Sequence, residues 1–135
     1  MPFTPCISVR DTAESIGFYM SLGFEVDSSL ARPGDDVHML LYQGEFCGLI
    51  RSNAELKEWL PQLAGVPVGM AGVLYLTVDD FDEFYERVRY RAGAIKGPLT
   101  DELGQRVFYF RDMDKYVIGV RDRATLRAGE LGRYA

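Results

Sequence analysis

The feature that most constrains this chain is an internal repeat. Two passages of strand, helix and strand open their helices on Asp11 and Asp80, 69 positions apart in a chain of 135 residues. The first passage comprises residues 5–11 (PCISVRD), 15–19 (SIGFY) and 22–24 (LGF). The second comprises residues 73–80 (VLYLTVDD), a helical stretch through Tyr90, residues 92–94 (AGA) and residues 104–112 (GQRVFYFRD). A period of half the chain is too long for a solenoid unit, so the pattern predicts two similar modules. A chain this short supports one core-bearing domain rather than two independent ones, and the modules are expected to share it.

Local patterning fills in each module. Ile7 and Val9 alternate with Thr4, Cys6 and Ser8, which predicts a strand with one apolar and one polar face. Asp11 or Thr12 can cap the following helix, whose Ser15, Phe18, Tyr19 and Leu22 recur at helical spacing until Gly23 ends it. Strands are predicted at 24–30, 37–42 and 45–51, separated by a turn at 32–36 and a tight turn at Gln43 and Gly44. The second module repeats the scheme, with a strand at 70–78 and a helix burying Phe81, Phe84, Tyr85 and Val88. Its remaining strands are expected near 94–97, 105–111 and 116–122. The fold class is therefore α+β, two βαβββ modules at about 3–52 and 70–122. A linker helix at about 53–64 carries Leu56, Trp59, Leu60 and Leu63, and residues 123–135 form a loose tail or a short helix.

Composition narrows the function classes. A formal net charge of -5 disfavours nucleic acid, which needs clustered lysine and arginine. No apolar run reaches the roughly 18–20 residues of a membrane span, and no basic segment followed by an apolar stretch opens the chain. A cytoplasmic protein without membrane or nucleic-acid partners is expected. Cys6 and Cys47 lack redox or zinc-site spacing and read as reduced thiols.

The quoted motifs resemble the vicinal oxygen chelate superfamily, which includes glyoxalase I, extradiol dioxygenases and bleomycin-resistance proteins. The resemblance covers roughly residues 3–122 and implies that each module curls around half of a cleft. It also implies metal ligands at Thr4, at Val73, at Gly119 and within residues 47–50. A threonine, a valine, a glycine and a stretch without carboxylate or imidazole cannot supply the three or more donors a divalent ion requires. No metal and no cofactor are therefore expected. The lone histidine, His38, reads as a hydrogen-bonding residue. Residues 112–119 replace the proline and glycine of the family's last turn with Met113 and Lys115, so that turn is expected to close differently.

The match is nearer to the bleomycin-resistance branch, through Arg10, Asp11, Ser15, Phe18, Tyr19 and residues 22–24, and through Asp79, Asp80, Phe84 and Tyr85. That branch implies a metal-free homodimer that sequesters a bulky cationic drug. The leading expectation is thus a non-catalytic binder of a small, cationic and aromatic ligand, with Cys6, Ser8, His38, Trp59, Tyr75 and Thr77 as ligand contacts. Trp59 is read either as a stacking platform or as a staple holding the linker helix. The alternative is a metal-independent isomerase or lyase using Glu45, His38 or Tyr75 as acid or base, and no catalytic residue is assigned.

Overall fold

The computed structural model describes residues 3–29, 35–69 and 72–128. They divide into two compact units, one ending at Gly69 and taking in Met113–Lys115, the other holding the remaining described residues. Each unit is a four-stranded mixed sheet with a helix, so the chain is α+β and built of two βαβββ modules. No helix among the described residues is long and apolar enough to cross a membrane.

The first unit contains β1 (Cys6–Val9), α1 (Thr12–Ser21), β2 (Glu25–Asp27), β3 (Val37–Tyr42), β4 (Glu45–Ser52) and α2 (Asn53–Trp59). Its sheet runs β1-β4-β3-β2, with β1 parallel to β4 and the other pairs antiparallel. Asp11 caps α1 through its side chain, accepting from the Glu14 amide at 3.1 Å. Tyr19 and Leu22 on that helix are buried with Ile7, Val9, Phe24, Leu40, Tyr42 and Ile50. Tyr19 meets Phe24 edge-on at 5.2 Å, and Phe24 meets Tyr42 at 4.9 Å. Gln43 and Gly44 both take positive φ, 50° and 80°, as a two-residue hairpin of strands with right-handed twist requires. Most of the turn read at 32–36 lies outside the described residues.

The second unit contains β5 (Val73–Val78), α3 (Phe81–Arg91), β6 (Ala94–Thr100), β7 (Arg106–Arg111) and β8 (Val117–Asp122). Its sheet repeats the order as β5-β8-β7-β6, with β5 parallel to β8. Phe81, Phe84 and Val88 of α3 are buried against Phe108, Phe110 and Val120, and Tyr85 meets Phe108 edge-on at 5.1 Å. Asp80 stands at the cap position of α3, yet its side chain makes no capping bond; it takes the Arg87 guanidinium at 2.8 Å instead. A short 3₁₀ helix (Arg123–Ala128) follows β8, with Leu126 buried. The rest of the tail read at 123–135 lies outside the described residues.

Two sequence expectations meet physical corrections. The linker helix stops at Trp59 and gives way to a 3₁₀ turn (Pro61–Leu63), because a proline cannot donate to the helix and crowds the preceding turn. None of its residues is buried. The turn before β8 keeps a positive φ at Lys115, 69°, although no glycine is there. Buried Asp112 clamps it: its amide donates to the Tyr116 carbonyl at 3.0 Å and its Oδ1 accepts from the Tyr116 amide at 2.9 Å. Buried Asp114, in the first unit, accepts from the Arg10 amide at 3.0 Å and from its guanidinium at 3.1 Å.

Candidate functional site

In the second unit the parallel pairing of β5 with β8 sets Tyr75 opposite Gly119 and Thr77 opposite Arg121. Side chains two apart on a strand share a face, so Tyr75, Thr77, Gly119 and Arg121 stand together, while Ile118 and Val120 turn to the buried side. Tyr109 joins them from β7, where it pairs with Gly119. The Tyr75 and Tyr109 hydroxyls lie 3.2 Å apart, and the Arg121 guanidinium lies over the Tyr75 ring at 4.7 Å. These three side chains border a cavity of about 560 Å³ whose other wall includes Val107 and the turn carrying Asp101 and Glu102. That volume suits a small organic molecule.

The electrostatics of this wall are specific. The hydrogen bond with Tyr75, then burial, then the charge Tyr75 would carry push the Tyr109 phenol up to about 12, with Arg121 pulling the other way. Tyr109 is therefore a neutral hydroxyl at any physiological pH. Asp101 Oδ1 accepts from the amides of Leu103 and Gln105 at 2.9 and 3.0 Å, which ties that carboxylate to its own turn.

The position that the resemblance assigns to a metal-binding carboxylate, Gly119, is roofed by the two phenols. A Cβ there would sit 2.6 Å from Tyr75 Cε1 and 3.0 Å from Tyr109 Cε1. Thr4 and Val73 are exposed, and Cys47 is the extra residue of a bulge between the pairs Leu40–Gly48 and Leu41–Phe46. Among the described residues no group of three or more His, Cys, Asp or Glu side chains is gathered to hold a metal ion. The residues present do not fit a divalent cation.

The other sequence-derived contacts fall in the first unit. Ser8 pairs with Arg51 across β1 and β4, and its hydroxyl donates to Asn53 Oδ1 at 3.1 Å. Burial pushes the Cys6 thiol up, with Arg51 pulling it down, and burial also raises Cys47. Trp59 is 67% exposed and stacks under the Arg51 guanidinium at 5.2 Å. His38 is held between Asp36 Oδ1, 2.6 Å from its Nε2, and Ser28 Oγ, 2.5 Å from its Nδ1. Burial raises Asp36, but hydrogen bonds from Thr12 and His38 and attraction to His38 leave its carboxyl below the ordinary range. Of the six candidates only Tyr75 borders the cavity. Sequence reading missed Tyr109 and Arg121, although Arg121 stands two residues from Gly119 on the same strand and so shares its face.

Residues 3–120 match the family model described as the Glyoxalase/Bleomycin resistance protein/Dioxygenase superfamily. Similar solved structures include a protein of unknown function from Agrobacterium tumefaciens str. C58, with a TM-score of 0.73 and 25% identity over 90% of this chain and 94% of that one. A member of the same superfamily from Sphaerobacter thermophilus DSM 20745 aligns with a TM-score of 0.69 and 24% identity over 89% and 94%. A bleomycin-binding protein complexed with bleomycin aligns with a TM-score of 0.61 and 19% identity over 90% and 97%. No curated protein matches the sequence.

Proposed function

We propose that this chain, which belongs to the glyoxalase/bleomycin resistance protein/dioxygenase superfamily, is a non-catalytic small-molecule binder that sequesters an antibiotic-like ligand in the cavity of its second unit. The observation that carries this reading is the Tyr75 and Tyr109 roof over Gly119. Where the resemblance implies a metal-polarising carboxylate, this unit offers two phenols and an arginine beside an open volume, which can hold a ligand but bring no nucleophile to it. The fold shared with a bleomycin-binding protein is consistent with sequestration. Of the six sequence-derived contacts Tyr75 lines this cavity and is the proposed contact there, and the homodimer implied by the resemblance belongs to the same reading.

The test joins titration to ligand response. Ultraviolet absorbance should show one tyrosine ionising near pH 12, and Tyr75→Phe should return it toward the ordinary value of about 10. Because folded Tyr109 keeps a proton that the unfolded chain gives up near pH 10, its contribution to stability is present below pH 10. It is lost as the pH rises toward 12. Bleomycin or another aromatic ligand bound in the cavity should shift the Tyr109 NMR signals at stoichiometric addition. Unmoved Tyr109 signals with every aromatic ligand at millimolar concentration would remove the cavity from the reading.

A second reading, metal-independent isomerase or lyase chemistry, is favoured by the Ser28–His38–Asp36 arrangement. With Asp36 accepting from Nε2–H, His38 Nδ1 is left as an acceptor facing a hydroxyl, the orientation a general base needs. Exchange of α-protons of 2-oxo acids into D₂O, followed by NMR with chelator present, separates the readings. Exchange that disappears in His38→Ala supports catalysis; no exchange above buffer sinks it.

A further inference from the structure

The repeat places an arginine at matching positions of the two sheets: Ser8 pairs with Arg51 as Thr77 pairs with Arg121. Each guanidinium lies on an aromatic ring, Arg51 over Trp59 at 5.2 Å and Arg121 over Tyr75 at 4.7 Å. Each has a buried Nε without a hydrogen-bond partner. Arg10, Arg87, Arg89, Arg106 and Arg123, by contrast, all reach carboxylates. Among the described residues no carboxylate pairs with Arg121, the one of the matching two that borders the cavity. A guanidinium stacked on a ring has already shed part of its water, and its planar fork matches a carboxylate with two parallel hydrogen bonds.

From this we infer that the cavity of the second unit recognises a carboxylate, with Arg121 as its anion anchor, rather than the cationic group that the resemblance implies. The inference rests on the proposed binding role of that cavity. Asp101, committed to its own turn, leaves Arg121 uncompensated at the wall, while exposed Glu102 at the rim disfavours a dianion more than a monoanion. The Tyr75 and Tyr109 rings supply apolar surface for the body of the ligand, and the neutral Tyr109 hydroxyl can donate to a carboxylate oxygen without repelling it. The ligand class is thus an aromatic or apolar monocarboxylate.

Calorimetric titration of the full chain with 2-naphthoate, 2-naphthamide and 2-naphthylmethylammonium tests the point, because the three differ chiefly at the charged end. The carboxylate should bind about tenfold or more tightly than the amide, and the ammonium most weakly. Raising the salt should weaken only the carboxylate. Arg121→Gln should bring the carboxylate down to about the level of the amide, and an unchanged circular-dichroism spectrum and urea midpoint show that the variant is folded. Arg121→Lys should keep part of the preference, since it retains charge without the planar fork. Equal binding of carboxylate and amide by the parent chain, or unchanged carboxylate affinity in Arg121→Gln, overturns the inference while leaving the binding reading intact. If none of the three perturbs the Tyr109 signals, the binding reading falls and takes the inference with it.

Discussion

Alanine at Gly48 is expected to destabilise the protein by about 3–4 kcal/mol, the sum of a left-handed backbone penalty and an overpacked contact. Gly48 sits in β4 at φ 135°, beside the bulge at Cys47, and a Cβ there would lie 2.6 Å from the Pro5 carbonyl oxygen and 3.2 Å from Pro5 Cβ. The obstacle is main chain and cannot swing aside. It is also in use, because the Leu49 amide donates to that same carbonyl at 2.8 Å and so starts the pairing of β1 with β4. β1 is only four residues long and pairs with no other strand among the described residues, so moving it off Gly48 sacrifices the edge of the sheet that carries Ile7, Ser8 and Val9. Urea unfolding of Gly48→Ala should show the full loss, and the Leu49 amide should exchange with solvent far faster than in the parent. Gly44→Ala is the matched control: its φ is also positive, 80°, but no atom lies within 4 Å of the added Cβ, so it should cost only about 1 kcal/mol. Similar losses in the two variants would show that the close approach to Pro5 contributes nothing.

The contrast between these two glycines also shows what the sequence could reveal. Gly44 was legible: a Gln-Gly pair between two alternating apolar runs announces a hairpin, and the strand at 37–42 appears where the pattern put it. Gly48 was not, because its reason is a carbonyl some forty positions earlier in the chain. Short-range signals served the helices equally well, with Asp11 capping α1 and Phe81, Phe84 and Val88 forming the buried stripe of α3. The linker was over-extended although Pro61 was in plain view as a stop. The candidate site was legible in part. Strand parity identified the face bearing Tyr75 and Thr77, but the pairing of β7 with β8, which brings Tyr109 over Gly119, is a matter of register between strands that alternation leaves open. The contacts of His38 with Ser28 and Asp36 depend likewise on how the chain returns beside β3. Arg121 shares that parity through its pairing with Thr77, but the resemblance to a branch that sequesters a cationic drug drew attention away from it. A net charge describes the whole surface, whereas ligand preference is set by the few charges left unpaired around one cavity.

Alanine at Gly119 should cost about 1–3 kcal/mol and close the proposed site at the same time. The added Cβ would fall 2.6 and 2.7 Å from two atoms of the Tyr75 ring and 3.0 Å from Tyr109, too near for any of them to stay. Here the obstacle is side chain, and Tyr75 is half exposed, so relief comes by rotating its ring outward. That movement breaks the hydroxyl contact with Tyr109 and takes the ring from beneath Arg121, turning the cavity wall into an obstruction. A double-mutant cycle with Tyr75→Ala isolates the effect. In the Tyr75→Ala background most of the clash is absent, so Gly119→Ala should be nearly neutral and the two substitutions should couple by about 1–2 kcal/mol. The Tyr109 ionisation offers an independent readout, since losing its Tyr75 partner by either route should lower it from about 12. Additive losses, with Tyr109 still ionising near 12 in Gly119→Ala, would mean that the glycine answers to a backbone constraint rather than to the ring above it. The account of Gly119 as the space that lets a tyrosine stand where a metal ligand would otherwise project would then fail.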